Sequence, residues 1–440
     1  MTRVSTMRRR LARPRLPGEE QVMNSLPWAV IAVLAVPVVI GRIADMPLGV
    51  TNPPFVARVD PHAEALLAVS VLCFAAAVAW APRLLTVTPA RFAAGTFALT
   101  LVLRLALAAG GGGRGIAAWW KVFDPTLSSE APHEYLPALG ALHWGPRFFL
   151  DRFAETAPSL PVHAAGHPPG LLVTLYALGI SSPGGMAALC IGVGALSVPL
   201  TYPLGRRLLD ERRARVATLL LAFAPGALIF GATSADAVYL TLGLLAAWPL
   251  TAASWRWRAA GAAVLAAVSL FAWSLPAVGA WAGILTWRRE GLRAAVALCA
   301  LCGAALVAFY ATLYGFTGFD PIGTLRATED VYRAGISSIR PYWFWLLGSP
   351  AAFLLVLGVP ILWHALRALA AGRNLAVAIF AVLAIAAVMG FTKAETERIW
   401  LFLAPFVCLA AATSSLPLRP VLAALAVQAL AYELVFYTVW

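Results

Sequence analysis

Charge is what this 440-residue chain has least of: Asp, Glu, Lys and Arg together make up 12% of it, about half the share usual in a water-soluble domain. Lysine occurs only at Lys121 and Lys393. With 61% hydrophobic residues and a mean hydropathy of +0.80, a soluble domain is excluded, because no soluble core could hide so much apolar surface. Period-2 alternation is missing too, so the apolar runs of 15 to 22 residues read as spanning helices and not as barrel strands. Cysteine is scarce: Cys73, Cys190, Cys299, Cys302 and Cys408 all fall inside apolar runs. There the Cys299-x-x-Cys302 spacing reads as packing and not as redox or metal chemistry. No zinc finger or RNA-binding sheet is visible, so the formal charge of +13 does not imply a nucleic-acid partner.

What is present is an all-α integral membrane pattern. Spanning helices are expected at about 27–45, 63–81, 92–110, 184–204, 216–233, 237–252, 258–272, 276–287, 292–312, 342–363, 374–392, 398–414 and 419–438, thirteen in all. The pair 258–272 and 276–287 is short for a hydrocarbon core and reads as broken at Trp273–Pro276. Residues 167–180 are too few to span and read as a re-entrant or juxtamembrane helix behind Pro168-Pro169. Residues 1–26 form a basic tail with six arginines and no small-residue cleavage site, so the first helix is expected to be retained. Residues 27–440 then form a single polytopic domain, with a large loop and the re-entrant helix at 111–183.

With the N-terminus in the cytoplasm, 21 of the 33 basic residues lie inside and 15 of the 20 acids lie outside. This positive-inside asymmetry accounts for the net charge without any anionic partner beyond membrane lipids. It also opposes making 167–180 a full span, which would turn RRLLDERRAR at 206–215 outward.

The polar, aromatic interval 111–170 is the candidate site. His133-Glu134-Tyr135 opens a segment whose apolar residues at 135, 136, 139 and 142 suit an interfacial helix, with Glu134 a partly desolvated general base. Asp124 lies upstream as a further acid. At 147–155 Phe149, Leu150 and Phe153 share one side, and Arg147 with Asp151 has ion-pair spacing. His167-Pro168-Pro169 starts a helix whose free amides favour an anion. Asp236 in Ser234-Ala-Asp236 is either a helix cap or a second acid facing a cavity. Arg104, inside a spanning helix, either snorkels or meets a lipid phosphate. Arg340 and Arg398, beside Tyr342, Trp343 and Trp400, are the arginines expected to grip an anionic head group. His163-x-x-x-His167 has helical metal-ligand spacing, but flanking prolines and the absence of a third ligand speak against a tightly bound metal.

Taken in order, the acidic–aromatic triplet, the Pro-Pro about thirty residues on and the later outer Asp resemble the polytopic GT-C glycosyltransferases. Protein O-mannosyltransferases and lipid A aminoarabinose transferases are similar in pattern, and KAETERIWLFLAP resembles a stretch of actinobacterial membrane transferases. The resemblance implies a GT-C-like fold and transfer of a sugar from a polyprenyl-phosphate donor, with inversion, to a glycan, lipid or protein acceptor at the outer face. It places Glu134 in the acidic motif, His167-Pro168-Pro169 where those families carry Lys-Pro-Pro, and Asp236 at their later aspartate. His133 stands where they carry the first acid, so Glu134 or Asp124 takes that role or the activity has changed. His133, Tyr135, His167, Arg104, Arg340 and Arg398 are then substrate-binding. No cofactor is implied, and a divalent cation is left open. The competing classes are a transporter or lipid flippase, which needs ionisable groups at mid-membrane and paired halves, and a non-catalytic relative.

Overall fold

A computed structural model describes residues 17–43, 48–62, 65–111 and 115–440. Most of the basic tail, together with Arg114, lies outside the described residues. The first helix begins at Pro17 (Pro17–Ile43), and its apolar span begins at Ser25.

The chain is almost wholly helical, as an apolar backbone in lipid must be to satisfy its own N–H and C=O groups. Its one sheet among the described residues is a two-residue antiparallel pair, Arg58–Val59 with Phe436–Tyr437. Each of the thirteen expected intervals falls mainly on helix, but fewer qualify as spans. By length and apolarity six described helices are fit to cross a membrane, or up to eight if each of two bent pairs counts as one span.

The shortfall has physical causes. The helices Asp236–Leu250 and Asn374–Met389 have only 15 and 16 residues, short of the ~20 that a straight crossing takes. The expected span 216–233 is bent by 59° between Glu211–Phe223 and Pro225–Thr233. Pro225 lacks an N–H and forces Ala224 into an extended conformation (φ −63°, ψ 118°). The expected span 342–363 is bent by 113° between Tyr342–Leu357 and Val359–Ala370. Gly358 makes that corner at φ +136°, where a Cβ would stand 2.5 Å from Leu425 Cδ2. The expected span 398–414 is likewise divided, into Thr396–Ile399, a 3₁₀ turn at Leu401–Leu403 and Ala404–Ala411.

Burial orders the bundle. Every residue of Pro225–Thr233 and of Ala404–Ala411 is buried, so these short pieces form the axis. Leu292–Thr317 is only 17% buried and exposes Val296, Val307, Tyr314 and Phe316, as a lipid-facing helix does. Trp255–Val268 and Ala277–Glu290 both pack on it as separate short helices.

Candidate active site

Between Gly115 and Pro169 the chain never completes a long helix. Proline stands in the first turn of the 3₁₀ turns Ala131–His133, Leu136–Leu142 and Ala157–Ser159 and of the helix Pro146–Asp151. It is tolerated there because those N–H groups have no helical partner. The outcome is a folded cap in which side chains at turn junctions are aimed inward. Glu134 is such a junction: it follows Ala131–His133 in extended backbone (φ −82°, ψ −175°) and is only 3% exposed. The expected interfacial helix holding it at the water–lipid boundary is therefore replaced by 3₁₀ turns that bury it, with Tyr135 and Leu142 also inside.

Asp236 comes from the other side of the bundle as the first residue of Asp236–Leu250. Ser234 supplies the local contacts: its Oγ accepts from the Asp236 amide at 3.1 Å and donates to Asp236 Oδ2 at 2.6 Å. The carboxylate is thereby free to face inward and accept from Arg398 Nη1 at 2.6 Å.

Arg398 is the hub. Its Nη2 donates to Glu395 Oε2 at 2.6 Å and lies 3.5 Å from His163 Nδ1, and its guanidinium stacks 4.2 Å from the centre of the Trp440 ring. Trp440 Nε1 in turn donates to Glu134 Oε1 at 3.3 Å. His163 Nε2 is 2.9 Å from Glu130 Oε1 and 3.9 Å from Glu134 Oε1. His163 Nε2 donates to the Glu130 carboxylate. Glu395 is shared: its Oε1 accepts from Arg340 Nη2 at 3.1 Å, while Arg340 Nη1 donates to the Lys393 carbonyl at 2.7 Å. Two successive left-handed residues, Ala394 (φ 66°) and Glu395 (φ 58°), turn the chain so that Glu395 meets both arginines. Such backbone costs about 1–2 kcal/mol per non-glycine residue and gathers at functional sites.

The electrostatics follow from burial set against neighbouring charge. Burial raises the pKa of Glu134 above the ordinary carboxylate value of 4.5, and His163 and Arg398 only partly offset it. Burial would also raise Glu395, but Arg398 and Arg340 overcome it and hold this acid at about 2. Burial opposes ionisation of Arg398 as well, yet Asp236, Glu395 and Glu134 keep it firmly charged. For His163 burial pulls the pKa down, and Glu134 with Glu130 carry it above its usual value. One buried cluster thus holds a fixed cation, a fixed anion and a carboxyl of raised basicity, the separation that acid–base work requires.

Of the residues expected from sequence, Glu134, Asp236, Arg340 and Arg398 belong to this cluster, and Tyr135 and His167 line its edge. Tyr135 Oη is 2.8 Å from Tyr239 Oη. The His167 ring sits 5.4 Å from Tyr239, with Nδ1 donating to the His163 carbonyl at 2.9 Å; burial lowers its pKa. Three expected residues lie apart. Asp124 folds on its own loop, accepting from Thr126 N and Oγ1 at 2.9 and 2.7 Å, which lowers its pKa. His133 is exposed. Arg104 neither snorkels nor reaches a lipid: it is 1% exposed inside the bundle, with Nη1 donating to the Gly231 carbonyl at 3.1 Å.

The proposed Arg147–Asp151 ion pair is replaced by Asp151–Arg152 at 3.7 Å and Arg152–Glu155 at 2.9 Å, because the helix breaks at Arg152. Sequence reasoning gave no site role to Glu130, Glu395, Trp440 or Tyr239, and treated His163 only as half of a metal pair. The density of charge in Lys393–Arg398 was the available signal for Glu395; Trp440 and Tyr239 carried none. No group of three metal-ligating side chains converges among the described residues. No family model matches the chain, and no curated protein sequence matches it.

Proposed function

We propose that the chain is a membrane glycosyltransferase of the GT-C kind, transferring a sugar from a polyprenyl-phosphate donor to an acceptor hydroxyl at the outer face of the cell membrane. The observation that carries this reading is the meeting of Glu134, Asp236 and Arg398, far apart in sequence, in one buried cluster. In the reaction, Glu134 removes the proton from the acceptor hydroxyl. The acceptor oxygen then forms a bond to the anomeric carbon as the bond to the phosphate oxygen breaks, with inversion. Arg398 and Arg340 offset the charge on the departing polyprenyl phosphate. Asp236 and Glu395 fix the aim of Arg398.

The test is transfer from labelled polyprenyl-phosphate sugars in membranes. Glu134→Gln, isosteric but without basicity, lowers the rate by about 10²-fold or more with protein level unchanged. Because the Glu134 pKa is raised, the acid limb of the wild-type rate lies above pH 4.5. His163→Gln removes a charge that holds that pKa down, so the limb moves to higher pH. Full turnover by Glu134→Gln defeats the assignment. The two bent helix pairs favour a second reading, a lipid transporter, since discontinuous helices are a transporter feature. That reading requires donor movement across a liposome membrane that survives Glu134→Gln.

A further inference from the structure

A concavity lies away from this cluster, on the surface between Pro89–Gly111 and Pro183–Leu208. Ala90, Ala93 and Phe97 form one wall and Leu196, Pro199 and Pro203 the other, around about 560 Å³. Both helices qualify as membrane spans. Gly194 packs so closely on Ala237, the neighbour of Asp236, that a Cβ would stand 2.6 Å from the alanine methyl. The groove begins two residues beyond Gly194, at Leu196, and runs to Pro203, about 10 Å along the helix at 1.5 Å per residue. It therefore opens at the arginine-rich end of the bundle, away from the candidate active site.

The groove's own chemistry selects an occupant. Its walls are alanine, proline, leucine and phenylalanine, and its volume falls in the range of small-ligand sites. At its end the charges are cationic. Arg91, next to Ala90, is exposed and makes no ion pair among the described residues. Arg206, three residues past Pro203 and so on the same helix face, pairs with Glu211 at 2.7 Å. Arg215 also bonds Glu211, at 2.5 Å, and its guanidinium stacks on Phe92 and on the lining Tyr202. Glu211 is thus matched twice over, its neighbour Asp210 pairs with Arg213 at 3.4 Å, and Arg91 adds a further cation. An apolar slot facing lipid, ending in unmatched positive charge, is complementary to one chain and one phosphate.

We propose that this groove binds an anionic phospholipid, one acyl chain lying between the two helices and the headgroup phosphate held by Arg91 with Arg206. The inference is independent of the glycosyltransferase reading, because it uses none of the residues of that cluster. It makes the arginine end a specific lipid site and not only a topological signal.

The experiment is photolabelling of the full chain in nanodiscs with phosphatidylglycerol or phosphatidylcholine, each carrying a diazirine on one acyl chain, followed by peptide mapping. Adducts on residues 89–97 and 196–203 are expected to favour phosphatidylglycerol about fivefold, the weight of one arginine near a charged lipid surface. Arg91→Gln, a surface change, brings the two lipids toward parity. Ala94→Phe, which fills the slot, removes the adducts from both peptides while labelling of Leu292–Thr317 persists. Equal labelling by the two lipids in the wild type overturns the proposal. So does labelling of the groove peptides no denser than that of Leu292–Thr317, or adducts unchanged by Ala94→Phe in protein that remains monodisperse.

Discussion

Arg398 and Arg104 are both buried in this bundle, and they are treated in opposite ways. Arg398, 5% exposed, has a carboxylate on each arm at 2.6 Å and an indole across its face. Arg104, 1% exposed, has a single carbonyl partner and leaves Nε and Nη2 without one. Gly231 and Gly194 make room for it: a Cβ on the first would come 2.5 Å from its Cζ, and on the second 3.0 Å from its Nη1. Arg398 also leaves its Nε without a partner, but a buried cation with a counter-ion on each arm organises its neighbours, whereas one that is merely accommodated does not. The sequence context singled out Arg398, with Arg340, to grip an anionic head group, and left Arg104 between snorkelling and a lipid phosphate.

The sharpest way to break the comparison is to neutralise each arginine in turn. Arg398→Met leaves Asp236 and Glu395 buried with the cation gone, and breaking such a pair by removing one partner costs about 3–5 kcal/mol. Arg104→Met removes a charge with no counter-ion, and its stability change is expected to stay within about 1 kcal/mol. Thermal midpoints of the purified variants in one detergent check this, with Arg398→Met the far less stable. Equal losses would mean that Arg104 has a structural importance its contacts do not show. A smaller effect comes from Gly231→Ala, whose new methyl collides with the guanidinium; overpacking of this kind costs about 1–3 kcal/mol. Combined with Arg104→Ala the collision is absent, so the double variant is expected to be more stable than the sum of the singles.

Much of the helical architecture was legible because apolar runs in lipid leave no alternative to helix. The breaks were less so. Pro225 and Gly358 are visible in the sequence, but the size of a bend, 59° or 113°, depends on what the following helix packs against. For the cluster, Glu134, Asp236 and Arg398 could be singled out because an acid or cation beside apolar runs needs a reason. Glu130 and His163 could not be paired from sequence: 33 residues and several proline turns separate them, and only the folded cap brings Nε2 within 2.9 Å of Oε1. Trp440 lies 306 positions from Glu134, and its placement follows from the short strand pairing of Phe436–Tyr437 with Arg58–Val59. Asp124 stands apart for a reason that is local: its Asx-type contacts with Thr126, two residues on, satisfy it within its own loop.

The smallest expected effect tests how Arg398 acquires its second carboxylate, something Arg104 lacks altogether. Ala394 holds a left-handed conformation at φ 66° and is fully buried against Leu48, Phe344 and Trp345. Replacing it by glycine relieves about 1–2 kcal/mol of backbone strain and gives up one buried methyl, about 0.8 kcal/mol. A further fraction of the gain is lost to the freedom that glycine has in the unfolded chain. The terms nearly cancel, so Ala394→Gly is expected to shift stability by less than about 1 kcal/mol in either direction. Valine at the same position keeps the strain and adds a branched side chain where φ is positive, and is expected to destabilise clearly. Measured together in thermal scans, the pair separates backbone strain from packing. A large loss for glycine as well as for valine would show that the Ala394 methyl, and not the turn it makes, holds Glu395 against Arg398.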